Sequence, residues 1–132
     1  KFTLAYTRAG LTPDGRSTWF LPRLLGTRRS LELMLTNRVL TAAEALEWGL
    51  VNRVVPAASV VGEAEALARE LAAGATDAFG ATKRLLLLSG SQGLETQMEL
   101  EARAIADASR SADAAEGIAA FLAKRAPRFE GR

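Results

Sequence analysis

Gly10-Leu11-Thr12-Pro13-Asp14-Gly15-Arg16-Ser17-Thr18-Trp19 is the stretch from which the rest of the chain can be read. It sets one acidic side chain, Asp14, on a turn punctuated by Gly and Pro, directly ahead of a Ser-Thr pair able to start a helix. Pro13 restricts its own φ and the conformation of Thr12, so Asp14 sits on a stiffened backbone. Before the turn, Phe2, Leu4 and Tyr6 alternate with Lys1, Thr3 and Ala5, the period-two pattern of a strand with one buried face. After it, nearly everything reads as helix. Two roles stay open for Asp14 at this level. An Asp beside Gly commonly bonds the backbone N–H groups of its own turn, and a carboxylate held on a tight turn can also move protons. Ser17 and Thr18 read first as helix caps and only then as ligand contacts. The turn is no P-loop, because the Lys and the spacing of that motif are missing.

Composition narrows the chemistry. The 132 residues suit one compact domain better than two, with 48% hydrophobic and 24% charged residues. Leu and Ala dominate and aromatics make up only 6%, which favours packed helices over a sandwich of strands. A net charge of +2 is too small to imply a nucleic-acid partner. With no Cys there is no disulfide, thiolate nucleophile or Cys-based metal site. With no His, the Ser-His triad, the imidazole base and the usual zinc site are gone as well. Acid-base chemistry within this chain therefore falls to Asp, Glu, Lys or Tyr. The longest apolar run, Ile118 to Ala123, is far short of a membrane span, and no basic segment leads into an apolar one. We therefore expect no membrane partner and a cytoplasmic location. Lys1, not Met, opens directly on a strand-like pattern, so the chain is expected to begin within a longer protein, with proteolytic processing as the alternative.

Further along, Leu31, Met34 and Leu35 predict one apolar face of a helix over 30–36, ended by Asn37. Thr41-Ala42-Ala43-Glu44 is a capping box, and Gly49 sits at the expected stop. Leu50-Val51-Asn52-Arg53-Val54-Val55, closed by Pro56, predicts a second short strand. Four helical stripes follow. Val60, Ala64, Leu67 and Leu71 end at Gly74; Ala78, Phe79, Thr82, Leu85 and Leu86 end at Ser89-Gly90. Leu94, Met98, Ala102 and Ile105 carry Glu99 and Arg103 as an i,i+4 pair. The last helix is expected from about Asp113 to Lys124, with Asp113 as cap, Glu116 completing a capping-box pattern, Pro127 as stop and Phe129 anchoring the tail. Phe121 and Lys124 stand at i, i+3: either core plus surface charge, or an aromatic and an ammonium for a phosphorylated, adenine-bearing ligand. We divide the chain near Pro56, into a strand-turn-helix layer with the candidate site (1–56) and four helices (57–132).

The order of motifs resembles the C-terminal half of the crotonase (enoyl-CoA hydratase/isomerase) superfamily. The resemblance rests on Ala9-Gly10-Leu11-Thr12-Pro13-Asp14-Gly15, Leu21-Pro22-Arg23-Leu24-Leu25-Gly26 and Leu35-Thr36-Asn37-Arg38-Val39-Leu40-Thr41-Ala42. It continues through Ala43-Glu44-Ala45-Leu46-Glu47-Trp48-Gly49-Leu50-Val51-Asn52-Arg53-Val54-Val55-Pro56 and ends on Glu116-Gly117-Ile118-Ala119-Ala120-Phe121-Leu122-Ala123-Lys124-Arg125. It implies a mostly α chain with one or two short strands: residues 1–56 would end a β-β-α spiral core and carry the site loop, and 57–132 would be a helical trimerisation region. The implied substrate is an acyl-CoA thioester, with CoA part of the substrate and no separate cofactor. The implied chemistry is an enolate stabilised by two backbone N–H donors that lie on the family's N-terminal half, with carboxylates moving protons. The implied assembly is a homotrimer or a dimer of trimers.

Carried over residue by residue, the second hydratase Glu would fall four residues before the Gly of the site loop, where this chain has Tyr6. Asp14 matches the site-loop Asp of the isomerase and dehalogenase branches, and its surroundings look most like the ring-epoxide phenylacetyl-CoA isomerase branch of phenylacetate breakdown. The resemblance thus implies an enoyl-CoA isomerase in which Asp14 shuttles a proton. An enoyl-CoA hydratase and a catalytically silent helical assembly module are the alternatives. Ser17 and Thr18 are expected at the helix start beside the acyl pocket, and Phe121 and Lys124 match positions that contact the CoA nucleotide. Arg16 stands where the family commonly has Gly and is expected to crowd the pocket or to pair with Asp14.

Overall fold

Phe2 and Leu40 exchange both backbone hydrogen bonds (2.9 and 2.8 Å) in a single antiparallel bridge, and this is all that forms of the predicted first strand. In this computed structural model, which describes residues 1–132, no longer ladder pairs with it. The alternating pattern ends where Tyr6 enters a 3-10 turn over Thr7–Ala9, closed by Gly10 at φ 71°. The left-handed conformation there is one Gly adopts without steric cost.

The chain divides into two compact units, Lys1–Ala58 and Ser59–Arg132. In the first, α1 (Ser17–Leu25) packs against α2 (Thr27–Thr36). Gly26 separates them with an N–H to the Pro22 carbonyl. Pro22 lies inside α1 rather than ending it. The core is built from Leu25, Leu33 and Leu40, with Leu4, Leu21, Trp48 and Leu50 packed on it. On α2 the buried face is Ser30, Leu33 and Met34. The predicted face is thus corrected: Met34 is inside, but Leu31 and Leu35 are 50% and 65% exposed. Ser30 can be buried because its hydroxyl donates to the Gly26 carbonyl (2.9 Å), leaving no unpaired donor.

The capping box forms as read. Thr41 and Glu44 satisfy each other's backbone N–H at the start of α3 (Ala42–Glu47). Its end is a Schellman motif: with Gly49 at φ 78°, Gly49 N–H donates to Leu46 O (3.0 Å) and Leu50 N–H to Ala45 O (2.8 Å). Val51 N–H also turns back to Ala45 O (3.3 Å). These bonds explain why no strand forms over 50–55, contrary to the β-branched composition: its first donors are spent on the helix end.

In the second unit, α4 (Val60–Ala72), α5 (Thr76–Ser89), α6 (Leu94–Ala108) and α7 (Ala112–Leu122) are the four helices expected. Between α4 and α5, Gly74 meets the Phe79 ring so closely that a Cβ would lie 2.5 Å from it. The Gln97 side chain on α6 donates to the Leu85 carbonyl on α5 (3.2 Å), and Glu99 pairs with Arg103 at 2.7 Å. The cap of α7 is Ser111, not Asp113: the Ser111 hydroxyl accepts from Ala114 N–H (3.0 Å). Asp113 is instead buried and accepts from the N–H groups of Glu130 (2.7 Å) and Gly131 (2.9 Å). Glu116 likewise serves the tail rather than a capping box, binding the Arg125 guanidinium with both oxygens (2.6 and 2.8 Å) and Arg128 N–H (2.8 Å). Phe129 lies against Gly117, where an added Cβ would come within 3.3 Å of its ring. No helix is long and apolar enough to cross a membrane.

Candidate active site

The loop that carries Asp14 is anchored at its root. Thr7 donates its hydroxyl to the Met34 carbonyl (2.6 Å) and accepts from the Asn37 amide (2.9 Å). The Asn37 carbonyl oxygen in turn accepts from Arg8 N–H (3.2 Å). Asn37 manages this from φ 54°, a left-handed conformation that Asn tolerates better than most side chains. One residue thus ends α2 and ties the 3-10 turn to it. Sequence spacing shows the first role and not the second, since residues 7 and 37 are remote along the chain.

From this anchor the loop runs to Asp14. Tyr6 donates its phenolic hydroxyl to Asp14 Oδ1 at 2.6 Å. The main-chain carbonyl of Asp14 accepts from both the N–H (3.0 Å) and the hydroxyl (2.7 Å) of Ser17. Ser17 and Thr18 are therefore not caps. Arg16 occupies the cap position of α1 at φ 63°, and its side chain caps nothing. Gly15 precedes it at φ 60°, so two successive left-handed residues turn the chain into the helix. Ser17 is half-buried and Thr18 exposed, both in the first turn of α1.

Arg16 does not pair with Asp14, whose carboxylate bonds Tyr6 instead. Its positive φ is a strained conformation for a residue with a Cβ. The phenol of Tyr6 is raised above its ordinary value of 10.0, first by the hydrogen bond to Asp14 and then by that carboxylate's charge. Deprotonating it would place two anions side by side.

A second electrostatic cluster supports the α2–α3 connection. Arg38 bridges Glu32 (2.6 Å) and Glu44. Glu44 is held below the usual carboxylate range, first by the Thr41 N–H and hydroxyl and then by Arg38. The guanidinium groups of Arg29 and Arg38 lie 4.8 Å from the Trp48 ring centre, which fixes that aromatic beside the core.

In the other unit, Phe121 is 82% exposed near the end of α7. The helix stops at Leu122, two residues before the predicted end, in a second Schellman motif. Lys124 N–H donates to Phe121 O (3.1 Å) and Arg125 N–H to Ala120 O (3.0 Å), with Lys124 itself at φ 51°. The i, i+3 relation of Phe121 and Lys124 is thus one of a helix end rather than of a continuing face. Asp14, Ser17 and Thr18 share one loop and helix start; Phe121 and Lys124 share one helix end in the separate helical unit. No group of three or more acidic side chains gathers where a metal ion would be held.

A helical chain with a carboxylate on a loop before a helix start, a Thr41–Glu44 capping box and a Schellman stop at Gly49 is the C-terminal helical part of the crotonase fold. The chain belongs to the enoyl-CoA hydratase/isomerase family, whose model matches residues 1–132. It is 41% identical over 132 residues to the 1,2-epoxyphenylacetyl-CoA isomerase of Escherichia coli K12, covering 100% of this chain and 50% of that protein. It is 40% identical to a probable enoyl-CoA hydratase of Rhodobacter capsulatus, covering 99% and 51% respectively. Its structure is similar to the crystal structure of an enoyl-CoA hydratase from Polaromonas sp. JS666, with a TM-score of 0.92, 33% identity, and 98% and 50% of the two chains covered. The chain spans about half the length of the curated relatives it matches.

Proposed function

We propose that the whole protein is an acyl-CoA isomerase in which Asp14 carries a proton between two carbons of the acyl group through an enolate. The observation that carries this reading is the make-up of the loop: Tyr6, not a Glu, stands four residues before Gly10, and its phenol holds Asp14 as the loop's one carboxylate. With one carboxylate, the same group takes the proton from the carbon beside the thioester and returns it elsewhere on the acyl chain. The double bond moves and no water is added. The 41% identity to a 1,2-epoxyphenylacetyl-CoA isomerase supports the same chemistry and suggests a ring-bearing acyl group.

Ser17 and Thr18 would line the pocket at the start of α1, and Phe121 and Lys124 would take the CoA nucleotide. Lys124 occupies a left-handed position where Gly is the usual helix stop, so a side chain is kept there despite its conformational cost. The 57–132 region would assemble the protein as a trimer or a dimer of trimers, in the cytoplasm, with no cofactor beyond the CoA of the substrate.

The test is Asp14→Asn in the complete enzyme, assayed with 3-enoyl-CoA and 2-enoyl-CoA. Isomerisation is expected to fall by roughly 10²–10⁴-fold, the usual weight of a positioned acid-base group. Full activity in that variant removes Asp14 from the mechanism. The 40% identity to a probable hydratase favours a second reading, and water addition without double-bond migration selects it. A third reading is a silent assembly module, favoured by the many exposed apolar side chains of the helical unit; defined oligomers that bind no CoA select that one. For these 132 residues alone we expect no turnover, because the oxyanion donors would come from the other half of the family fold.

A further inference from the structure

We infer that Tyr6 is a positioning residue for Asp14: its hydroxyl pins Oδ1 and leaves Oδ2 as the oxygen that carries the proton. This rests on the proton-shuttle reading of Asp14. Each partner is held independently of the bond between them. The Tyr6 carbonyl accepts from Ala9 N–H (2.9 Å) and Leu11 N–H (3.0 Å), and its neighbour Thr7 is tied to Met34 and Asn37 on α2. The Asp14 carbonyl is held by the N–H and hydroxyl of Ser17. The 2.6 Å contact therefore joins two groups already fixed at their roots, at a length characteristic of a hydroxyl donating to a carboxylate.

The bond also tolerates the chemistry. When Asp14 takes a proton on Oδ2, Oδ1 becomes a carbonyl oxygen and still accepts from the phenol. The carboxyl group then has no reason to rotate between its two protonation states. The phenol is a neutral donor near neutral pH at its ordinary value of 10.0 already, and Asp14, the only charged group behind the shift, raises it further. Tyr6 thus orients the shuttle without joining the proton traffic. A side chain at the position where the resemblance implies a second hydratase carboxylate would here set the geometry of the first loop acid instead.

Two measurements decide this. Tyr6 is the chain's one tyrosine, so phenolate absorbance in the 132-residue chain reports it alone. Asp14→Asn should bring its alkaline titration down toward the ordinary value, and an unchanged titration overturns the inference. In the complete enzyme, Tyr6→Phe keeps the ring and removes the donor. The expected result is a kcat about ten-fold lower with KM within about two-fold, the size of one hydrogen bond to a charged group acting on the chemical step. Unchanged kcat in Tyr6→Phe beside an inactive Asp14→Asn overturns the role of Tyr6 and leaves the shuttle standing. Full activity in Asp14→Asn removes the shuttle, and the inference with it.

Discussion

The two units of the chain solve the problem of stability differently. Residues 1–58 hold most of the buried apolar side chains: Leu25, Leu33, Met34, Leu40 and Ala45 are all inside. Residues 59–132 are longer and richer in helix, yet only Ala120 and Asp113 are buried there, and one of the two is charged. Leu86, Leu94, Ile105, Phe121 and Leu122 are each at least 69% exposed. The lesson is a division of labour. The loop that carries Asp14 is tied at its root to a unit with its own core. The helical unit leaves its apolar faces open in the single chain.

The sharpest test of that contrast pairs two leucines. Leu40→Ala should destabilise the 1–58 unit by about 2–5 kcal/mol, because Leu40 is fully enclosed and joins the bridge to the core. Leu86→Ala, 69% exposed on α5, should change the stability of the single chain by less than about 0.5 kcal/mol. Chemical unfolding of both variants checks it; equal losses would erase the contrast.

A second test concerns what replaces a core in the helical unit. Glu116 is pulled down to about 2, chiefly by the Arg125 guanidinium and then by Arg128 N–H. Its folded value lies below the ordinary 4.5, so the stability it contributes is present above about 4.5 and is lost as pH falls toward 2. The tail beyond α7 should loosen across that window. Glu116→Gln should loosen it already at neutral pH and flatten the acid response. Proteolysis of the tail against pH measures both.

A gain rather than a loss is expected at the loop. Arg16→Gly relieves a left-handed non-Gly residue and should stabilise the 1–58 unit by about 1 kcal/mol. A thermal melt reads the gain, and a loss would mean the Arg16 side chain holds something its backbone strain conceals.

Much of this was legible because it is local. The Thr41–Glu44 box, the Asn37 and Gly49 stops, the four helices after 59 and the Glu99–Arg103 pair each depend on residues a turn apart, and each stands where the pattern puts it apart from the end of α7, which comes two residues early at Leu122. Asp14 could be singled out for a similar reason, since its motif is contiguous. The misreadings share the opposite property. The strand at 50–55 gave way to backbone donors folding back on Ala45, and the Leu31–Leu35 face gave way to Ser30–Leu33 once α1 and the bridge set which side was inside. Asp113 and Glu116 looked like caps until the returning tail claimed their oxygens.

The amino-acid order by itself therefore determined the helices, their stops and the acid on the loop, because capping and turn chemistry act over a few residues. It also carried the family resemblance. Only the tertiary structure decided which faces are buried, that Thr7 and Asn37 lock the loop, and that Tyr6 rather than Arg16 holds Asp14. Those outcomes depend on groups eight to thirty positions apart meeting in space, and no local propensity encodes such a meeting.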